Sequence, residues 1–227
     1  MFKYPLAFIN TLSLIILILC SAIEIPTFSY NFYKYEYEKN NVYETIGISE
    51  LDLKNVTEKL FSYMKGESKD LAINSYINGE NREFFNEKEK QHMVDVQLLF
   101  IIGFTVRKIS FIIFLITLFS AFIFSDKKTL DTYLRAWIFG LTSIMAIGLL
   151  SIIFIVGDFD SNFTAFHEIF FSNDLWILDP QQDLLINIVP LNFFIDIFKA
   201  VGGLFLFISF LFVFFSAVAL KLRKSKN

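Results

Sequence analysis

FHEIFFSNDLWILDPQQDLLINIVP, residues Phe166 to Pro190, separates two apolar runs, Ala136 to Gly157 and Ala200 to Leu220, each long enough to cross a membrane. Within ten residues the stretch places His167 beside Phe166, Glu168, Phe170, Phe171, Asp174 and Trp176. Asp179-Pro180 and Pro190 break it and keep it from becoming a further span. An aromatic, histidine-bearing loop between two spans fixes the fold class as a mainly α membrane protein and puts polar chemistry at a membrane surface.

Composition agrees. Of 227 residues, 55% are hydrophobic, 18% aromatic and only 19% charged, too apolar for a soluble domain of this length. Two earlier runs complete a set of four spans. Leu6 to Ile23 is an uncharged stretch of 18 residues, near the lower limit for spanning about 30 Å. Cys20-Ser21-Ala22 is weakly like a signal-peptidase site, but the run exceeds the usual 7 to 15 residue core of a signal peptide. The second span ends at Ser125 and is continuous with the helix that leads into it. The sequence therefore predicts a bundle of four transmembrane helices with a small extracytoplasmic α+β domain between the first and second spans. The expected boundaries are residues 1–5, span 6–23, domain 24–97, span 98–125, charged turn 126–135, span 136–157, loop 158–199, span 200–220 and tail 221–227.

Charge sets the orientation. Lys3, Lys127, Lys128, Arg135, Lys221, Arg223, Lys224 and Lys226 fall on one side of the four spans, whereas Asp158 to Lys199 on the other side holds seven acids against one base. The positive-inside rule puts both termini in the cytoplasm and both polar segments outside. The net charge of −3 hides this segregation and gives no basic footprint for nucleic acid. The single Cys20 rules out an intramolecular disulfide or a cysteine-based zinc site.

In the polar segment, Phe28 to Phe32 and Tyr33 to Tyr37 alternate with period two and predict strands joined at a bend. Val56, Leu60, Phe61 and Met64, closed by Gly66, predict an amphipathic helix over Asp52 to Lys65. Leu71 to Ile77 predicts another strand, with Asn78-Gly79 as its turn. Asn86 and Glu89 form a capping-box pattern that starts a helix through His92 and Asp95. Asp95, three residues on, shares the face of His92 and can orient its ring. Arg107 and Lys108, about 20 Å further along that helix, mark its membrane boundary and are candidates to hold lipid phosphates.

Both histidines of the chain thus fall on one predicted side, in separate segments and each with carboxylates nearby. Ser161-Asn162 can cap a helix from Phe163 to Phe171 on which Phe163, His167 and Phe171 share a stripe, and its phenylalanines place it in the interface, at a depth that also suits Trp176. Asn173 can donate to a developing oxyanion and Asp174 can hold an imidazole tautomer; capping and turn formation are the plainer uses of both. Asp183, Asn187 and Asp196 read as loop solvation.

The FHxxFFxND-W pattern at Phe166-His167, Phe170-Phe171, Asn173-Asp174 and Trp176, followed by Asp183, Leu185-Ile186, Pro190 and Phe193-Phe194, resembles the lipoprotein intramolecular transacylase family. His92-x-x-Asp95-Val96 adds a shorter motif. Leu191 and Asn192 depart from the family pattern, which has an acidic residue after the proline. The resemblance implies an acyltransferase of the bacterial cytoplasmic membrane, with its active site on the outer face. It moves the sn-2 acyl chain of a diacylated lipoprotein to the α-amine of the N-terminal cysteine, giving a lyso-form product. His167 and His92 are the expected acid/base catalysts, with Asp95, Glu168, Asn173 and Asp174 as supports and Phe166, Phe170, Phe171, Trp176, Arg107 and Lys108 as lipid or substrate contacts, the last two from their place at the membrane boundary and not from the resemblance. No cofactor is required, because amine and ester belong to one substrate molecule. Two rival readings are a non-catalytic membrane adaptor and a metal-dependent hydrolase; His167-Glu168 begins an HExxH pattern, but Phe171 stands where its second histidine belongs.

Overall fold

The computed structural model describes residues 3–123 and 127–225. The expected span end at Ser125, the start of the charged turn at Asp126 and the basic residue Lys226 lie outside the described residues. Described elements run in the order α1 (Lys3–Thr27), α2 (Tyr30–Lys39), α3 (Val42–Ile46), α4 (Glu50–Met64), β1 (Asn74–Ile77), β2 (Glu80–Glu83), α5 (Glu87–Ile123), α6 (Lys127–Gly157), α7 (Phe159–Phe170), α8 (Leu185–Ile188) and α9 (Leu191–Lys224). Helices α1, α5, α6 and α9 are long and apolar enough to cross a membrane. The chain divides into two units, residues 1–24, 104–154 and 199–227, and residues 25–103 and 155–198.

The first unit draws on all four long helices. Leu14, Ile18, Ala22, Leu141 and Phe205 are buried together, with Phe114 and Trp137 against them. One buried amide inside it makes three hydrogen bonds. Asn10, fully buried, donates to the Phe114 carbonyl at 2.9 Å and to Thr117 Oγ1 at 2.8 Å, and accepts from Trp137 Nε1 at 2.8 Å. Tyr133 OH donates to the Thr117 carbonyl at 3.0 Å. One asparagine thus ties α1, α5 and α6 together, because in hydrocarbon these groups find no water to replace their partners. α6 begins at Lys127, so the expected charged turn over 126–135 is helical where described.

The second unit holds α2 to α4, the hairpin, α7 and α8. Its core joins Tyr33, Tyr37, Leu53, Val56, Leu60 and Phe85 with Leu185, Ile188 and Phe193 from the later loop. A polar segment too short to bury a large core alone completes one with distant sequence. Asn78 and Gly79 take φ +53° and +84°, the paired left-handed geometry of a two-residue hairpin turn, and join β1 to β2 as the sequence expects. Gly66 at φ +74° follows α4.

The strands expected over Phe28 to Tyr37 are instead the turn that follows α1 and the first eight residues of α2. Alternating tyrosines also satisfy a helical spacing, and Tyr33, Glu36 and Tyr37 form the buried face. Packing decides between the two periods. Tyr33 meets Phe61 and Phe193 edge-on at 4.8 Å each, and Tyr37 OH shares a 2.8 Å hydrogen bond with Thr57. α1 and α9 also outrun the uncharged windows, α9 starting directly after Pro190, because Asp196 and Lys199 are carried on a helix that the hydropathy count excludes.

Asn10→Ala is expected to lower the thermal unfolding midpoint of the detergent-purified protein, at a cost of about 2 kcal/mol for three membrane-buried hydrogen bonds. Trp137 fluorescence reads it directly, and an unchanged midpoint would show the network to be dispensable.

Candidate active site

α5 and the segment after α6 each bring one histidine to the second unit. The capping box forms as the sequence predicts: Asn86 N donates to Glu89 Oε2 at 2.7 Å and Glu89 N to Asn86 Oδ1 at 3.0 Å. Glu89 does more than cap. Its other oxygen accepts the Leu185 backbone N–H at 2.6 Å, and Asn86 Nδ2 donates to Asp183 Oδ1 at 2.7 Å. Asp183 is buried and its second oxygen accepts the Asp179 N–H at 2.7 Å, so it is a structural anchor rather than loop solvation. Asn187 and Asp196 are likewise engaged, the first on the Pro180 carbonyl at 2.8 Å and the second by Lys39.

His92 lies one turn beyond Glu89, and Asp95 one turn beyond His92. Asp95 accepts Asn173 Nδ2 at 2.9 Å, while Asn173 Oδ1 receives the Leu175 N–H at 3.1 Å. Residues 89, 92 and 95 share a helix face. The face therefore grips the loop on both sides of His92 and leaves the imidazole between the two attachments.

His167 arrives from the other direction on α7. Asp158 caps that helix through Ser161 N, so it starts at Phe159, ahead of the expected Ser161-Asn162 cap. Its Nδ1 lies 2.7 Å from the Phe163 carbonyl. A carbonyl only accepts, so Nδ1 carries the proton and the neutral ring presents Nε2 as a bare lone pair. The Phe163 carbonyl, and not Asp174, sets this tautomer; Asp174 and Glu168 are both exposed.

The rings of His92 and His167 stand 6.2 Å apart at 35°. Trp176 stacks on His167 at 4.8 Å, Phe163 lies at 4.2 Å, Phe166 meets it edge-on at 5.4 Å, and Phe171 contacts both histidines at 5.3 and 5.5 Å. Each histidine is only 7% exposed, and His92 Nδ1 is buried with no hydrogen-bond partner among the described residues. Burial pushes the His167 imidazole below its ordinary value, against the smaller opposite effect of the Phe163 carbonyl. Two imidazolium ions at this spacing would repel in an apolar cage, so the pair is suited to handling one proton at a time.

Phe166 and Phe170 pack together at 4.7 Å with exposed outer faces. Arg107 is paired with Glu24 at 2.5 Å in the first unit, and Lys108 is exposed. Among the described residues no three His, Cys, Asp or Glu side chains converge into a metal-binding group. Sequence reasoning missed Glu89 as a loop anchor and Phe163 as the tautomer-setting carbonyl. The first was readable only as a cap, and the second is a backbone atom with no side-chain signal.

Fold and site together define a multi-pass helical membrane protein whose two histidines share one buried aromatic site. The model of the lipoprotein intramolecular transacylase family, Lit, matches residues 8–194. Solved structures agree in fold: the membrane-integral Lit of Bacillus cereus superposes with a TM-score of 0.78 at 18% identity, over 98% of each chain. A histidine-to-arginine variant of that protein gives 0.78, covering 99% of this chain and 95% of the other, and a histidine-to-alanine variant gives 0.75, covering 98% and 96%, again at 18% identity. No curated protein sequence matches the chain. The chain belongs to the lipoprotein intramolecular transacylase family and is an acyltransferase.

Glu89→Ala leaves the buried Leu185 N–H and the part-buried Asn86 N–H without their acceptor. A loss of about 2 to 4 kcal/mol is expected, with faster hydrogen exchange at the Leu185 amide. Exchange at Leu185 equal to that of the wild type would remove Glu89 as the anchor of this loop.

Proposed function

We propose that the protein moves the sn-2 acyl chain of a diacylglyceryl lipoprotein to the α-amine of that lipoprotein's N-terminal cysteine, with His167 and His92 as the acid/base pair. The observation that carries the reading is the convergence of the chain's two histidines in one buried aromatic cage, one of them with a bare Nε2. A free α-amine has a pKa of about 7.7 to 8.0, and it must be neutral to attack. Its nitrogen adds to the ester carbonyl carbon and forms the N–C bond. His167 Nε2 takes the proton that the nitrogen then sheds. The imidazolium, on His167 or shared with His92, returns this proton to the glycerol oxygen as the C–O bond breaks. Atoms balance without water, nucleotide or acyl-CoA, and the product is an N-acyl, lyso-form lipoprotein of unchanged mass.

Because both reacting groups belong to one substrate, catalysis is largely a matter of bending that substrate into attack geometry and excluding water. Trp176, Phe163 and Phe171 supply the dry wall around the imidazoles, and the exposed faces of Phe166 and Phe170 supply apolar surface for the acyl chain. Asn173 is committed to Asp95 and Leu175, so its proposed role is to position the loop. Charge segregation supports an orientation with both termini cytoplasmic and the site on the outer face. A phosphate-anchoring role for Arg107 and Lys108 stays with this reading, Arg107 acting from within its Glu24 ion pair.

Mass spectrometry of the N-terminal peptide of a reporter lipoprotein, made in a host without N-acylation, tests the reading. Expression of the protein is expected to shift one acyl chain from glycerol to the amine at constant total mass, and His167→Ala or His92→Ala to reduce transfer by roughly 100-fold or more. An untouched diacyl form despite stable wild-type protein in the membrane would overturn the reaction, and normal transfer by either alanine variant would overturn that histidine's role.

The lowered basicity of His167 fixes the pH profile. Its neutral form persists below pH 6.5, so between about pH 6.5 and 7.7 only the substrate amine is titrating. Log rate against pH is expected to rise there with unit slope and to steepen only on the acid side. A two-proton slope already present at pH 7 would contradict a neutral, buried base.

A further inference from the structure

In the first unit, a recess of about 650 Å³ opens between α1 and α6, at the ends of those helices that carry Lys3 and Lys128. Its lining changes character along its length. Lys3, Lys128 and Arg135 gather toward one end, and Phe8, Leu12 and Phe139 form walls further along. Among the described residues the one acid in the lining, Asp131, is engaged by Arg223 Nε at 2.7 Å, and Lys128 and Arg135 give the recess a positive balance. Lys3 leans over the Tyr4 ring at 5.7 Å, at the polar end of an otherwise apolar groove.

Thr11 and Gly140, where the two helices touch, both line the recess. A Cβ on Gly140 would come within 2.5 Å of Thr11 Cγ2, so a larger residue there would force the Thr11 side chain or the two helices to shift. From Lys3 to Ile15 the groove follows about 18 Å of helix at 1.5 Å per residue, which suits an extended acyl chain beneath a headgroup. Phe8, Leu12 and Phe139 are 68%, 47% and 76% exposed, apolar surface that a hydrocarbon tail would cover.

We propose that this groove is a binding site for one anionic phospholipid, its phosphate held by Lys3, Lys128 and Arg135 and one acyl chain laid between α1 and α6. Charge complementarity selects the ligand: a zwitterionic headgroup carries its own cation and gains little from three more, and free phosphate has no tail for the apolar walls. The site is distinct from the histidine cage and uses none of its residues.

Native mass spectrometry of the delipidated, detergent-solubilised protein, titrated with phosphatidylglycerol, phosphatidylcholine or sn-glycerol 3-phosphate, tests it. Phosphatidylglycerol is expected to bind at one site, at least tenfold tighter than the other two, since each basic residue near an anionic headgroup contributes about fivefold. Lys3→Gln/Lys128→Gln/Arg135→Gln is expected to lose that preference. Lys54→Gln/Lys65→Gln/Lys69→Gln, with the same change in net charge in the second unit, is expected to keep it. Leu12→Trp, which fills the groove without touching a cation, is expected to weaken phosphatidylglycerol as well, with unfolding midpoints confirming that each variant is folded. Equal binding of phosphatidylglycerol and phosphatidylcholine, equal weakening by the two triple variants, or undiminished binding to Leu12→Trp would each overturn the proposal.

Discussion

Everything at the candidate site depends on one face of α5, the stripe Glu89, His92 and Asp95. Glu89 accepts the Leu185 amide and Asp95 accepts the Asn173 amide, one helical turn to either side of the imidazole. A loop that runs between α7 and α9 has little regular structure of its own, and its backbone groups would otherwise look to water. Two carboxylates on a rigid helix satisfy them instead. Helix regularity transfers to the loop through these bonds, and Trp176, between the two attachments in sequence, is set against His167 as a consequence.

Burial gives the arrangement its chemistry. Neither ring is ion-paired with a carboxylate among the described residues; His167 leans on a main-chain carbonyl, and His92 leaves Nδ1 buried and unpartnered. An orphaned polar atom in an apolar cage costs stability, and such costs concentrate where a site must receive a ligand or a proton. The cage therefore has the features of a dry proton-transfer site: aromatic walls, a tautomer fixed by the backbone and a second imidazole one ring-spacing away.

Much of this was legible in the sequence, for reasons that differ from element to element. The four long helices announce themselves by uninterrupted apolar runs, since nothing else satisfies the backbone in hydrocarbon. Asn78-Gly79 and Asn86-Glu89 carry turn and cap chemistry that is local, and both formed as read. Tyr30 to Tyr37 did not, because its tyrosines fit a period of two as well as one of 3.6, and the choice was made by Phe61 and Phe193, far away in sequence. The histidine pair was visible as two residues on one predicted side, but Glu89, Asp183 and the Phe163 carbonyl acquire their roles only through contacts that bridge about 100 residues or run through the main chain, where the sequence carries no mark. Asn10 was passed over for the same reason: one polar residue in a span shows its purpose only when Thr117 and Trp137 are beside it.

With only two histidines in the chain, nitrogen NMR of uniformly 15N-histidine-labelled protein resolves four ring nitrogens and tests the central claim directly. The account predicts that at pH 7 His167 is neutral, held protonated at Nδ1 by the Phe163 carbonyl and bare at Nε2, and that Asp95→Ala, by releasing Asn173 and the loop that carries Trp176, shifts the His167 ring resonances that the stacked indole sets. A His167 found protonated at Nε2, or His167 ring resonances left unchanged by Asp95→Ala, would contradict the claim that the backbone sets the tautomer and the α5 stripe holds the loop against the base.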